Sequence, residues 1–284
     1  MQRIILLLLV IFITQNNLIQ SQQKKVTELP DISVIGTMVG KTTEDHKTFD
    51  VKEIEFSFQH YLYPGVKADI FAALHKHNGE RTFELEESFV TFSDLAGIIA
   101  PSLSTDTGIG AIVGKKRINI GKINQLHPEQ WQFIDRSLAI QQFLGGEEGL
   151  AAEGVQLSYL LPLPFFSQFE IGGWTAGAHA HEEEEGHEEE GHEEEGHGVE
   201  YSNRLISTRL WNSFELSQDQ ELELGLNYLL GNATASSEDD QQSVVGIDLT
   251  YSKEIKNNQL LKIQTEYYQA NYGEENEDRE KQTG

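Results

Sequence analysis

Apolar and polar residues take turns along most of this chain. The run Ile54-Glu55-Phe56-Ser57-Phe58-Gln59-His60-Tyr61-Leu62 alternates almost strictly. So do Glu221-Leu222-Glu223-Leu224-Gly225-Leu226-Asn227-Tyr228-Leu229-Leu230 and Val245-Gly246-Ile247-Asp248-Leu249-Thr250-Tyr251. Successive side chains of a strand point to opposite faces, so a period of two is the pattern of half-buried strands, not helices. It predicts eleven strands, at 32–40, 51–62, 66–75, 83–92, 109–121, 153–160, 167–177, 203–215, 221–230, 243–252 and 259–270. Most exceed the roughly five or six residues of an ordinary globular strand.

The links between these strands differ in kind. Tyr63-Pro64-Gly65, Leu161-Pro162-Leu163-Pro164, Leu216-Ser217-Gln218-Asp219-Gln220 and Lys253-Glu254-Ile255-Lys256-Asn257-Asn258 read as short turns. Between them come longer polar links at 41–50, 122–152, 178–202 and 231–242. Two segments depart from the rule, 76–82 being brief and 93–108 long. A meander with short turns at one end and long links at the other is the plan of a transmembrane antiparallel up-and-down β-barrel, whose short turns face the periplasm. A soluble sandwich or lipocalin-like barrel alternates too. Strand length and link asymmetry favour the membrane barrel. By that alternation 259–270 runs outward, and 273–280 begins another external link. A closed barrel of this class has an even strand count, commonly with an aromatic final strand, whereas this chain ends Lys281-Gln282-Thr283-Gly284. The expectation is an incomplete barrel lacking one or more C-terminal hairpins.

The N-terminus sharpens the location. Arg3 precedes an unbroken apolar run from Ile4 to Ile13, and a polar stretch then reaches Ser21. That is the layout of a secretory signal peptide, here 1–21, and the run is too short to span a bilayer as a helix. Residues 22–31 read as a lead-in, and 32–284 as the barrel. The chain has no cysteine, which argues against a disulfide-stapled secreted domain and for a bacterial periplasmic or outer-membrane protein. The net charge of −25 argues against nucleic acid as a partner and for cations.

Much of that charge sits in one place. Residues 179–200 read HAHEEEEGHEEEGHEEEGHGVE, with five histidines, eleven glutamates and no lysine or arginine. No core can bury it, so the tract must project into water. His187, His192 and His197 recur at a five-residue step, preceded by His179 and His181. On a helix that step turns successive histidines by about 140°, so they share no face. The glycine in each repeat points to a flexible link instead. Imidazole with carboxylate suits zinc, and also nickel or copper. The expectation is weak, multi-site divalent metal binding by His179, His181, His187, His192 and His197 with neighbouring glutamates. The alternative is a solvated low-complexity link that binds nothing in particular.

One stretch carries a family likeness. Gly121-Lys122-Ile123-Asn124-Gln125-Leu126-His127-Pro128-Glu129-Gln130-Trp131-Gln132-Phe133-Ile134-Asp135-Arg136 is distinctive. Phe143-Leu144-Gly145-Gly146-Glu147-Glu148-Gly149-Leu150 and Glu153-Gly154-Val155-Gln156-Leu157-Ser158-Tyr159 follow it. Together they resemble porin-like outer-membrane proteins of Gram-negative bacteria, loosely akin to the phosphate-selective porins. The resemblance is best over 83–175. It implies an outer-membrane barrel that passes small solutes, in a group with His-rich, zinc-associated members. Basic residues are few in the best-matching region (Lys115, Lys116, Arg117 and Lys122, then Arg136), a departure from an anion-selective path.

Three further features bear on chemistry. Lys115 and Arg117 share one face of a strand through 109–121, opposite Ile118 and Ile120. With the isoleucines toward lipid, these cations line a lumen and steer anions. Otherwise they pair with lumen acids such as Glu53 or Asp69, or sit at the membrane rim. The long link at 122–152 is apolar enough, with Trp131, Phe133, Phe143 and Leu144, to fold inward as a constriction or to pack on the rim as a cap. His75 and His77 share a strand face, at a spacing two metal ligands can use, and read more simply as a polar hairpin end. There is no nucleophile elbow, phosphate loop or His-Glu-x-x-His helix, so no enzyme activity is expected. The leading expectation is therefore a porin-like channel for small solutes that requires no cofactor and carries an external link weakly binding zinc or another divalent cation. Its partners are outer-membrane lipid and small solutes or metal ions, and a homo-oligomer is compatible with it. The competing expectation is a metal-capturing surface protein for which the barrel is only an anchor.

Overall fold

The computed structural model describes residues 29–42, 47–77, 80–100, 107–133, 135–145, 149–176, 201–233, 241–256, 259–273 and 281–283. It is all-β, a single antiparallel up-and-down sheet. The strands are β1 (Asp31–Thr42), β2 (Lys47–Tyr63), β3 (Val66–His77), β4 (Glu80–Phe92), β5 (Ile109–Arg117) and β6 (Ala151–Leu160). They continue as β7 (Phe166–Ala176), β8 (Tyr201–Ser217), β9 (Gln220–Ala233), β10 (Gln241–Ile255), β11 (Gln259–Gly273) and β12 (Lys281–Thr283). Each bonds only to its neighbours in sequence, in the order β1 to β12. Among the described residues two short α-helices interrupt the links, α1 (Leu95–Ile99) and α2 (Leu138–Phe143), with one 3-10 turn at Pro128–Gln130. Among the described residues no helix is long and apolar enough to cross a membrane. The signal-peptide reading of 1–21 falls outside the described residues.

All eleven predicted strands are present, most of them longer at one or both ends. β2 and β8 reach 17 residues each. Two corrections stand out. The fifth strand, predicted over 109–121, stops at Arg117, where the chain leaves the ladder to cross the sheet. The C-terminal segment, predicted as external link, returns as β12, pairing Lys281–Thr283 with Gln269–Asn271 of β11. Three residues are too few for an alternation to register.

The two faces of the sheet differ in what they present. One face carries exposed Val113, Leu157, Ile171, Ile206, Leu226 and Ile247, each between 43% and 48% exposed. The opposite face buries Glu53, Asp69, Glu87, Gln156, Arg209 and Asp248, each at most 6% exposed. The strict alternation makes this segregation possible, since every second residue faces the same way.

What buries the polar face is the link between β5 and β6. Its backbone amides and His127 bond to side chains of β4, β9 and β11, so the sheet curls around it. Buried Asn124 ties the two ends of the link together. Its Nδ2 donates to the carbonyls of Ile118 (2.8 Å) and Leu150 (3.0 Å), and its Oδ1 accepts from Leu150 N–H at 2.9 Å. Beyond it, α2 is capped by Ser137, whose hydroxyl accepts from Ile140 N–H. Ile140, Phe143 and Leu144, all fully buried, pack with Ile118, Ile120, Trp174, Leu205, Leu229 and Tyr268.

Candidate functional site: the charged inner face

On the inner face, two β-bulges gather a charged cluster. Between β3 and β4 the register steps from Phe71↔Glu87 to Ala72↔Leu85, leaving Glu86 without an opposite number. An extra residue in a strand re-aims its side chain. Two consecutive carboxylates, Glu86 and Glu87, therefore both turn inward, with side chains 7% and 6% exposed. Between β1 and β2 the register steps from Thr37↔Glu53 to Met38↔Val51, which frees Lys52 in the same way. Its ammonium lies 5.6 Å from the Trp131 ring of the link.

His127 enters this acidic pocket from the link. Its Nδ1 lies 2.8 Å from Glu55 and 2.9 Å from Glu86, and its Nε2 lies 2.8 Å from Glu87. Burial alone would lower the imidazole's pKa. The hydrogen bonds that the ring donates to Glu55, Glu86 and Glu87 outweigh it and push the value up to about 11, so the ring is an imidazolium at neutral pH. Phe71 lies along the same ring at a centroid distance of 4.8 Å. Arg117 adds a second cation, its guanidinium 3.2 Å from Glu86 and its backbone N–H donating to Glu87. Burial, with the Glu55 and Glu86 carboxylates nearby, raises the pKa of Glu129 on the link.

Across the trough the link is held by a second polar set. Gly121 N–H donates to Asn227 Oδ1 at 3.1 Å, and Lys122 N–H to Glu266 Oε1 at 2.6 Å. Arg209 donates to the Gly121 carbonyl and to Asp248, which also accepts from Asn227. Gly121 sits at φ +61°, and a Cβ there would collide with the Tyr268 hydroxyl and Glu266, so glycine is required by both conformation and space. Beside the charged cluster a cavity of about 170 Å³ is lined by Lys52, Glu53, His75, Lys76, Glu86, Arg117, Trp131 and Arg136, among others.

The predicted site residues separate. His179, His181, His187, His192 and His197 lie outside the described residues. Arg117 turns into the cluster and pairs with Glu86, an inner-face acid, so it is paired rather than open to solutes. Lys115 does not join it. Its register partners are Ser88 and exposed Glu153, so it stands on the outer face, its ammonium on the Leu85 carbonyl at 2.7 Å. The inward lysine is Lys116, 2.9 Å from Asn119 Oδ1. Ile118 and Ile120, expected to meet lipid, are instead buried against the link at 0% and 1% exposure. His75, expected as a plain hairpin end, lies between Glu53 and Glu86. Glu86, Glu87, His127 and Glu129 went unremarked as a cluster. Glu84-Leu85-Glu86-Glu87, which breaks the alternation with adjacent acids, was the available signal for the bulge.

No family model matches the chain. An uncharacterized protein of Aquifex aeolicus (strain VF5) is 29% identical over 163 residues, covering 49% of this chain and 32% of that protein. The chain thus spans about a third of the length of the relative it matches. No solved structure matches.

Proposed function

We propose that this chain forms a porin-like β-barrel of a Gram-negative outer membrane, passing small solutes past an inward-folded constriction. The observation that carries this reading is the inverted sheet: an apolar outer face beside a charged inner face filled by the β5–β6 link. Lipid rewards the first, and water with fixed charge suits the second. Strands of 9 to 17 residues between β1 and β11 meet the roughly nine to eleven residues a tilted strand needs to cross a bilayer. Ala176 and Tyr201, at the same end of the sheet as Arg117 and Ala151, are the described residues that flank the tract at 179–200. The tract would act there as an acidic, weakly chelating fringe at the mouth, with zinc its first candidate ion.

Planar-bilayer recording of the refolded protein tests the reading. Discrete channels are expected, and their conductance should rise at least about twofold when Gly121→Val unseats the link from Asn227 and Glu266. Protein that inserts yet never conducts would sink the transport claim. The second reading, a metal-capturing surface protein anchored by its barrel, is favoured by how the link occupies the inner face, bonded to Glu87, Asn227 and Glu266. Silence in the bilayer together with zinc uptake that depends on the tract would select it.

A further inference from the structure

We propose that the inner face holds a divalent cation at Glu53, His75 and Glu86, a metal site separate from the His/Glu tract. Glu53 of β2 stands opposite His75 of β3 in the ladder, and the bulge in β4 brings Glu86 to the same place. His75 Nε2 lies 3.0 Å from Glu86 Oε1, and His75 Nδ1 lies 3.5 Å from Glu53 Oε2. One ligand atom from each residue falls within 4.8 Å of the other two. Tetrahedral zinc with bonds of about 2.0–2.2 Å sets its ligand atoms about 3.3–3.6 Å apart, so binding would draw the three side chains together.

Two independent observations call for a cation there. Glu53 is 4% exposed and faces the cavity, yet among the described residues no donor gives it a hydrogen bond. Its sole recorded partner is His75, at 3.5 Å. A nearly fully buried carboxylate without a donor is costly unless something positive meets it. On its other side Glu53 converges with Glu55 and Glu129, again within 4.8 Å, and Glu129 Oε2 is buried without a hydrogen-bond partner. Three nearby cations already face acids, His127 with Glu55, Glu86 and Glu87, Arg117 with Glu86, and Lys76 with Asp50, while Lys52 and Arg136 lie over the Trp131 ring of the same cavity. One imidazole with carboxylates is a donor set for zinc, with manganese or cobalt as competitors. The adjoining cavity has room for the waters that complete the shell.

The inference rests on geometry and stands whether or not the barrel conducts. Zinc calorimetry on the refolded protein tests it, with His179, His181, His187, His192 and His197 all replaced by asparagine to silence the tract. That protein should still take up a single tight zinc equivalent. On the same background Glu53→Gln and His75→Gln should each weaken it by about tenfold or more. Loss of all tight zinc uptake in the tract variant, where the cluster is intact, overturns the proposal, as does an unchanged isotherm in His75→Gln. If Glu53→Gln fails to fold, His75→Gln and the tract variant still decide the matter. Cobalt substitution of the tract variant should give visible bands that His75→Gln alters. Bands indifferent to that change would also overturn the assignment.

Discussion

Glu86 owes its inward position to one extra residue in β4, and the cluster around it depends on that irregularity. Without the bulge, alternation would send Glu86 or Glu87 to the outer face. His127 then holds three buried carboxylates together, with one ring nitrogen on Glu55 and Glu86 and the other on Glu87. His127→Ala leaves those acids facing one another and should cost about 3–5 kcal/mol, the usual penalty for stripping one partner from a buried ion pair. Equilibrium urea unfolding of the refolded protein checks this, and a change below about 1 kcal/mol would mean the carboxylates find other partners. The adjacent acids in sequence announce a bulge but not what the carboxylates would meet. His127 arrives from a link whose path no periodicity encodes. Lys115 shows the same limit. Alternation put Lys115 and Arg117 on one face, whereas Arg117, the last residue of β5, turns into the cluster and Lys115 stays on the outer face.

Among the elements, strands were the most legible part of the chain, because a half-buried ladder writes its period directly into the sequence. The misreading of β5 has a specific cause. Ile118 and Ile120 continue the alternation beyond Arg117, but they bury themselves in a pocket shared with α2 rather than in a ladder. Periodicity reports which side is apolar, not whether a neighbouring strand is there to pair. The link itself was open between a constriction and a cap. Its apolar anchors decide for the inner face: Phe143 is fully buried, and Tyr201 donates to its carbonyl at 2.9 Å. Phe143→Ala should cost about 3–5 kcal/mol. Amide exchange should show the protection of 138–144 falling while that of β9 and β10 is kept; equal protection in the two proteins would mean the helix is held by other contacts.

For the whole molecule, the inverted distribution of apolar and polar surface is the property that most needs a solvent to explain it. Leu226, Ile247 and Tyr267 stand side by side across β9, β10 and β11, all more than two-fifths exposed. In water such a row is a liability. In lipid it is ordinary surface. Ile247→Arg therefore separates the alternatives: about 2–4 kcal/mol of destabilisation is expected at mid-bilayer, measured by reversible unfolding from vesicles. A soluble sheet would register within about 0.5 kcal/mol. Composition could not make this distinction, since a net charge of −25 suits a soluble acidic protein equally well.

The seating of the β5–β6 link also imposes an order in time. Gly121 meets Asn227 across 106 residues of chain, and Lys122 meets Glu266 across 144. Those partners do not exist on the chain until β9 and β11 have been synthesised and laid alongside β8 and β10. Until then the amides of Gly121, Lys122 and Ile123 lack those partners, and α2 lacks Leu229 and Tyr268. Closing loops of that length costs entropy before any contact repays it. The link's final contacts must therefore form after the wall that receives them, so the piece that fills the trough is among the last to be fixed although it is encoded in the middle.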